Sequence, residues 1–362
     1  MGDQQIGANT NSADHPVHWS CDESTISTRL TREFGLRHPF VGAGMGFVAH
    51  PPLVAAVSNA GGLGIIGASP DPPPSLPVMA AELRELTDGP WGVDLICAET
   101  GMGPASTDGH VDACVELAVP LVVFHHDLPP AHWVRRLTDA GARVWMQVSS
   151  VELAAGAAGL GVVGLVAQGV EAGGHARGVV PLHDLLAEIR GRFPGQLLLA
   201  AGGIADGVAA AAALRAGADG VWVGTRLVAS AESPAHPEYK RRLVDAAGPP
   251  VVTTAFGPEW PAHRYRLLPT RAVAEWAGRE SEVPDHPPAG VIGHTTLFPH
   301  SARLPYDMPT FSAIPPTVDT TGEWEEMVFP AGAGVGLVRD VQPVEQIVTG
   351  MMSEAHRLLS TS

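Results

Sequence analysis

Residues 162–175 read VVGLVAQGVEAGGH. The run Val162–Ala167 is apolar throughout, as expected of a strand covered on both faces of a parallel sheet. An amide, three glycines and one imidazole follow: Gln168, Gly169, Gly173, Gly174 and His175. That combination suits the mouth of a strand in a barrel enzyme. Gln168 can hydrogen-bond a planar polar ligand. The paired glycines let backbone approach it, and His175 can move a proton near neutral pH.

Seven similar runs flank this one: Phe40–Gly44, Gly64–Gly67, Gly92–Ile96, Leu121–Phe124, Arg143–Val148, Leu197–Ala201 and Gly220–Gly224. Between them lie helix-like segments at Pro52–Ala60, Leu76–Leu86, Pro130–Ala140, Val151–Ala158, Leu182–Arg192 and Gly207–Ala216. Strands alternating with helices imply βαβ units and an α/β fold. Eight such units point to a closed (β/α)8 TIM barrel rather than an open doubly wound sheet. The strings Gly42-Ala43-Gly44-Met45-Gly46-Phe47 and Gly61-Gly62-Leu63-Gly64 lack the G-x-G-x-x-G spacing of a dinucleotide site.

The pattern changes after Ser233. Residues 234–330 are rich in Pro, His, Trp and charge, and strand signals disappear. Glu238–Ala247 and Thr270–Arg279 read as helices, and Pro284–Pro316 as a proline-punctuated loop. The expected organisation is a poorly ordered extension over 1–26 and a barrel over 27–233. A smaller, mostly helical and loop-rich cap should cover 234–330, and a tail over 331–362 should return to the barrel wall. In that tail Val344, Ile347, Val348, Met351, Met352 and Leu358 recur at helical spacing.

With 38 acidic against 22 basic residues the formal charge is −16. No basic patch is available to neutralise phosphates, which argues against nucleic acid or an anionic membrane surface as partner. The three cysteines, Cys21, Cys97 and Cys114, suit neither a disulfide framework nor a zinc site. The polar N-terminus lacks an apolar signal core, and no apolar run is long enough to span a bilayer. A cytoplasmic setting is expected.

A second constellation closes the seventh strand: Ala200-Ala201-Gly202-Gly203-Ile204-Ala205-Asp206-Gly207. The eighth ends in Val223-Gly224-Thr225-Arg226. In barrels of this kind the loops after strands seven and eight commonly hold a phosphate. The N–H groups of Gly202, Gly203, Gly224 and Thr225 can face an anion with no side chain intervening, and the Thr225 hydroxyl can add a donor.

Together these motifs resemble the nitronate monooxygenase family, also called 2-nitropropane dioxygenases. The resemblance runs from about Pro39 to Leu359. It rests on HPFVGAGMGFVAHPPLVAAVSNAGGLGIIGA, VAQGVEAGGHARG, LLLAAGGIADG, GADGVWVGTRLVASAES and FPAGAGVGLVRD. The motifs are shared with flavin-dependent enoyl-acyl-carrier-protein reductases and some NADH:quinone reductases. The resemblance implies non-covalent FMN, in agreement with the phosphate end. It implies that Ala43, Gly44 and Met45 line the flavin ring, that Asp94 stands beside it, and that Gln168 meets its edge. Gly173 and Gly174 would meet the ribityl chain or ring face, with Gly202, Gly203, Gly224 and Thr225 on the phosphate. His175 takes the place of the active-site histidine. Asp94 stands where the family has asparagine, and it can donate a hydrogen bond only if protonated. His126 and Asp127 stand where the family has phenylalanine and glycine, so an unusual substrate range is implied.

His125, His126 and Tyr306 are candidates to line the substrate pocket. Trp260 and Tyr306 either close over the substrate or anchor packing. Adjacent strand side chains point opposite ways, so His125, His126 and Asp127 do not suggest a metal. Glu171 is either an acid–base group or a solvated loop residue. Arg226 either neutralises phosphate or pairs with Glu232. The implied activity is oxidation of a small alkyl nitronate, or its parent nitroalkane, with O2, and His175 acts as base or as anion binder. The alternatives are an NAD(P)H-dependent FMN reductase of enoyl thioesters or quinones, and a flavin-binding partner protein without turnover. A homodimer stays open.

Overall fold

A computed structural model describes residues 25–101, 103–260, 263–283 and 290–361. The extension expected over 1–26 lies almost wholly outside the described residues. Eight parallel strands form one sheet: β1 Phe40–Gly42, β2 Gly64–Gly67, β3 Trp91–Cys97, β4 Leu121–His126, β5 Arg143–Val148, β6 Gly164–Gln168, β7 Leu197–Ala201 and β8 Gly220–Val223. Their order is β1-β8-β7-β6-β5-β4-β3-β2. A parallel bridge between Val41 and Leu63 joins the two ends, so the sheet curls into a nearly closed barrel. Each apolar run of the sequence lies on one of these strands.

Alternation along the strands builds two cores. Val41, Ile65, Val123, Trp145, Leu199 and Trp222 belong to a cluster separate from the one between strands and helices. The Trp145 indole meets Phe34 edge-on at 5.2 Å. Phe34 ends the helix Arg29–Phe34, whose Leu30 joins the same inner cluster. Each fully buried side chain of this size contributes about 1.5–3 kcal/mol. Outside the barrel lie helices Pro51–Asn59, Ser75–Leu86, Ala131–Asp139, Val151–Gly159, Leu182–Arg192 and Gly207–Arg215. The helix Asp108–Glu116 has no counterpart among the sequence expectations. A box of Thr107 and His110 starts it rather than the usual Ser/Thr with Glu.

Beyond β8 the structure departs from the sequence expectation. Helices Pro237–Val244 and Arg271–Trp276 are present, but so are strands Val251–Thr253, Tyr265–Leu267, Val291–Leu297, Leu304–Pro309 and Thr321–Gly322. The expected loop from Pro284 to Pro316 contains a hairpin. Its first strand, VIGHTTL, is rich in β-branched residues. The second holds Pro305 and Pro309 and sits at the edge of its sheet, where a missing N–H costs no ladder bond. A small core of Phe256, Tyr265, Leu267, Val273, Phe311 and Val328 supports this layer. The last helix, Val344–Ser360, packs on Gly207–Arg215 and on Pro51–Asn59, and its Ile347, Val348, Met351, Met352, Ala355 and Leu359 are buried. Leu359 rather than Leu358 is the buried residue of its final turn. Among the described residues no helix is long and apolar enough to cross a membrane.

Candidate active site

The strands end in a cavity of about 530 Å³ at their C-terminal side. Ala43, Gly44 and Met45 line it from the loop after β1, Asp94 from β3, His125 from β4 and Gln168 from β6. Gly173, Gly174 and His175 follow, and Gly202, Gly203, Gly224 and Thr225 complete the wall. Residues far apart in sequence converge because every strand of a parallel barrel delivers its C-terminal end to the same rim.

The glycine end is built for close approach. Gly202 and Gly203 have φ of +117° and +72°, a region that side chains disfavour. The N–H groups of Gly202, Gly203, Gly224 and Thr225 donate to no backbone acceptor among the described residues. The helix Gly207–Arg215 is closed by its own Asp206, whose carboxylate accepts from Ala209 N–H at 2.8 Å. The free donors therefore belong to the two turns rather than to that helix. The tail covers them: Gly332 N–H donates to Thr225 Oγ1 at 3.0 Å, and a Cβ at Gly334 would overlap the Gly203 carbonyl oxygen. Free amides in a concave, glycine-built wall fit a phosphate monoester.

His175 sits on the two-residue strand Gly174–His175, which pairs antiparallel with Tyr265 and Arg266. Its ring stacks on Tyr265 at 4.2 Å and 6°, and lies against Trp260 at 4.2 Å and 32°. Nε2 is buried without a hydrogen-bond partner among the described residues. Burial, then the nearby His125, His263 and His126, holds the imidazole well below its usual range. It therefore stands neutral at neutral pH. Arg266 fixes the preceding loop by donating to the carbonyls of Ala172 at 3.0 Å and Val170 at 2.7 Å.

Asp94 is buried, and burial pushes its carboxyl well above the usual range. That shift favours the neutral acid, which can donate as well as accept. A side chain at Gly44 would overlap it. His125 is pushed down to about 3 by burial, then by His126 and Arg177, and its Nε2 is also unpartnered.

Other candidates fall elsewhere. His126 has φ +84° and is not on the cavity wall. Its carbonyl accepts from Arg177 at 2.8 Å, and Arg177 pairs with Asp127. Tyr306 also lies off the wall and donates to Glu259 at 2.9 Å. Glu259 accepts from Ser312 as well, and it does line the cavity. Arg226 pairs with Asp340 at 2.8 Å rather than with Glu232, whose carboxylate accepts from Val344 N–H. Glu171 accepts from Leu182 N–H at the start of a helix. Trp260 is on the wall. Among the described residues no group of three or more His, Cys, Asp or Glu is placed to hold a metal. Sequence reading missed Gln147, Asp71 and Tyr265, which also line the cavity. A lone amide inside the otherwise apolar run VWMQV could have flagged Gln147; nothing local marks Tyr265.

Comparison with known proteins identifies the family. Residues 27–354 match the nitronate monooxygenase family profile. A nitronate monooxygenase of Pseudomonas aeruginosa is 31% identical over 90% of this chain and 98% of its own length. The structure of FabK from Thermotoga maritima superposes with a TM-score of 0.76 at 33% identity, covering 93% of this chain and 98% of that one. A nitroalkane oxidase from Streptomyces ansochromogenes gives 0.74 at 26% identity, covering 92% and 99%.

Proposed function

The chain belongs to the nitronate monooxygenase family, and from that premise we propose that it oxidises alkyl nitronates, or their parent nitroalkanes, with O2 and uses FMN at this cavity. Family membership makes it a flavin oxidoreductase, which sets aside the non-catalytic binding reading. The observation that carries the proposal is the juxtaposition on one wall of the unpartnered imidazole of His175 and the four free amides.

The residues divide the work. Gly202, Gly203, Gly224 and Thr225 would hold the FMN phosphate. Ala43, Gly44, Met45, Gly173 and Gly174 would let the ring system lie against backbone. Gln168 and Asp94 would supply its polar edge contacts, and burial favours the protonated form of Asp94, which keeps the donor that asparagine has. Bound FMN supplies the electron acceptor and the path to O2. His175 is positioned by Tyr265 and Trp260. Being neutral, it can take the proton beside a nitro group or donate a hydrogen bond to a nitronate oxygen. Trp260 and Tyr265 also shield that end from water. The test is oxygen uptake by the FMN-loaded protein with an alkyl nitronate and its nitroalkane. Uptake with substrate consumption is expected, and its absence with both overturns the proposal.

The likeness to FabK, at least as high as that to the nitroalkane oxidase, favours a second reading as an NAD(P)H-dependent reductase of enoyl thioesters or quinones. Anaerobic addition of NADH and NADPH separates the two. Rapid bleaching of the flavin, without oxygen uptake on nitronate, supports the reductase.

A further inference from the structure

Asp71 is a buried carboxyl on the cavity wall with nothing to bond. It follows β2 in the run Ser69-Pro70-Asp71-Pro72-Pro73-Pro74, lines the cavity and is 4% exposed. Four prolines restrict the local backbone. The Asp71 carbonyl is held as well. Thr107 N–H donates to His110 Nδ1 at 3.1 Å, which puts the ring proton on Nε2. Nε2 then donates to the Asp71 carbonyl oxygen at 2.9 Å.

The backbone is pinned, yet the side chain is idle. Oδ1 has no partner among the described residues. Oδ2 is 3.9 Å from His50 Nε2, beyond hydrogen-bond reach, and that nitrogen is also unpartnered. His50 leans edge-on against His300, which faces Glu82 at 3.4 Å. The neighbouring Ser69 hydroxyl is already engaged, with Ser106 at 2.8 Å and Ile96 N–H at 2.6 Å. No Lys or Arg among the described residues pairs with Asp71. Burial pushes its carboxyl up to about 7, so the neutral acid, with one O–H to donate, is well populated at neutral pH. Native structures rarely leave such a group without a partner of some kind.

We propose that Asp71 anchors the substrate by donating a hydrogen bond to an uncharged oxygen, a ketone or ester carbonyl, carried away from the carbon that reacts at His175. The inference rests on the oxidase reading for what happens at His175 and narrows the substrate class to nitro compounds bearing a second, carbonyl group. An ammonium group is a poorer occupant. It would need the ionised carboxylate in a place walled by Pro70, Pro72 and Pro73, with no second anion bonded there.

The experiment is anaerobic calorimetric titration of the FMN-loaded full chain with ω-nitroketones of increasing length, the matching nitroalkanes and the matching ω-nitroamines. At one chain length the ketone should bind about tenfold more tightly than the alkane, the worth of one buried hydrogen bond. Asp71→Val should erase that preference and leave alkane binding in place. The near-isosteric Asp71→Asn, which still donates, should keep part of it and serves if the valine variant does not fold. Equal binding of ketone and alkane at every length, survival of the preference in Asp71→Val, or tightest binding of the amine would each overturn the proposal. Without O2 at most one reduction of the bound FMN can follow binding, so a failure of oxygen uptake condemns the oxidase reading and leaves this one to stand or fall separately.

Discussion

The idle carboxyl of Asp71 should write itself into the pH dependence of stability. In the unfolded chain it ionises near 3.8, whereas in the folded protein it keeps its proton up to about 7. Between those values the folded state binds more protons than the unfolded one, so raising the pH favours unfolding by about 1.4 kcal/mol per unit. Above about 7 both states are ionised and the penalty stops growing. Asp71→Asn removes the titration and leaves a similar shape. The variant should therefore gain on the wild type by about 2.5 kcal/mol between about pH 5 and about pH 7.5. His50, His110, His300 and Glu82 stand around the site in both proteins, so their own titrations largely cancel in the difference. Urea denaturation followed by tryptophan fluorescence at the two pH values measures the gap. A gap that does not change with pH would mean that Asp71 is ionised throughout and has a partner. A depressed carboxyl gives the same flat gap over this range, and with either result the anchoring idea would lose its basis.

Further outcomes follow from the site. His175→Asn should retain bound FMN, seen in the visible spectrum, and lower turnover on nitroalkane by about 10²–10⁴-fold, the usual share of a positioned proton-transfer group. Unchanged turnover on nitroalkane and nitronate would remove His175 from the chemistry. Gly334→Ala puts a methyl group against the Gly203 carbonyl and should weaken FMN binding by at least about tenfold in a fluorescence titration. An unaltered titration would move the phosphate away from these turns. Arg266→Met strips the donors from the Val170 and Ala172 carbonyls and should cost about 1.5–3 kcal/mol in urea melts. A change smaller than about 0.5 kcal/mol would show that the Gly173–Gly174 loop holds its shape unaided.

The barrel was legible because a strand covered on both faces must be apolar along its whole length. Phe40–Gly42 through Gly220–Val223 each announce themselves without reference to any other segment. The second layer hides for the converse reason. Strands Val251–Thr253 and Tyr265–Leu267 are three residues long and exist through pairing with each other and with Gly174–His175. The prolines of Leu304–Pro309 signal a break when the strand is in fact an edge. Site residues divide the same way. Gln168, His175 and the glycine turns were readable because each motif is continuous in sequence. His126 was not, since a positive φ at the end of β4 ends the strict alternation from which its direction would be inferred. Tyr306 looked like a pocket aromatic, but its hydroxyl is bound to Glu259. Asp71 was lost among prolines that read only as a turn, with its isolation visible only in three dimensions.

His175 is stitched by main-chain bonds to Tyr265, a residue of the overlying layer. The proposed reactive group is thus common property of both layers, like a rivet through two plates. The upper layer cannot swing away as a door without breaking those main-chain bonds and tearing the ring from its seat. Transplanting a foreign roof onto this barrel would fail for the same reason, unless the graft carried its own partner for that short strand.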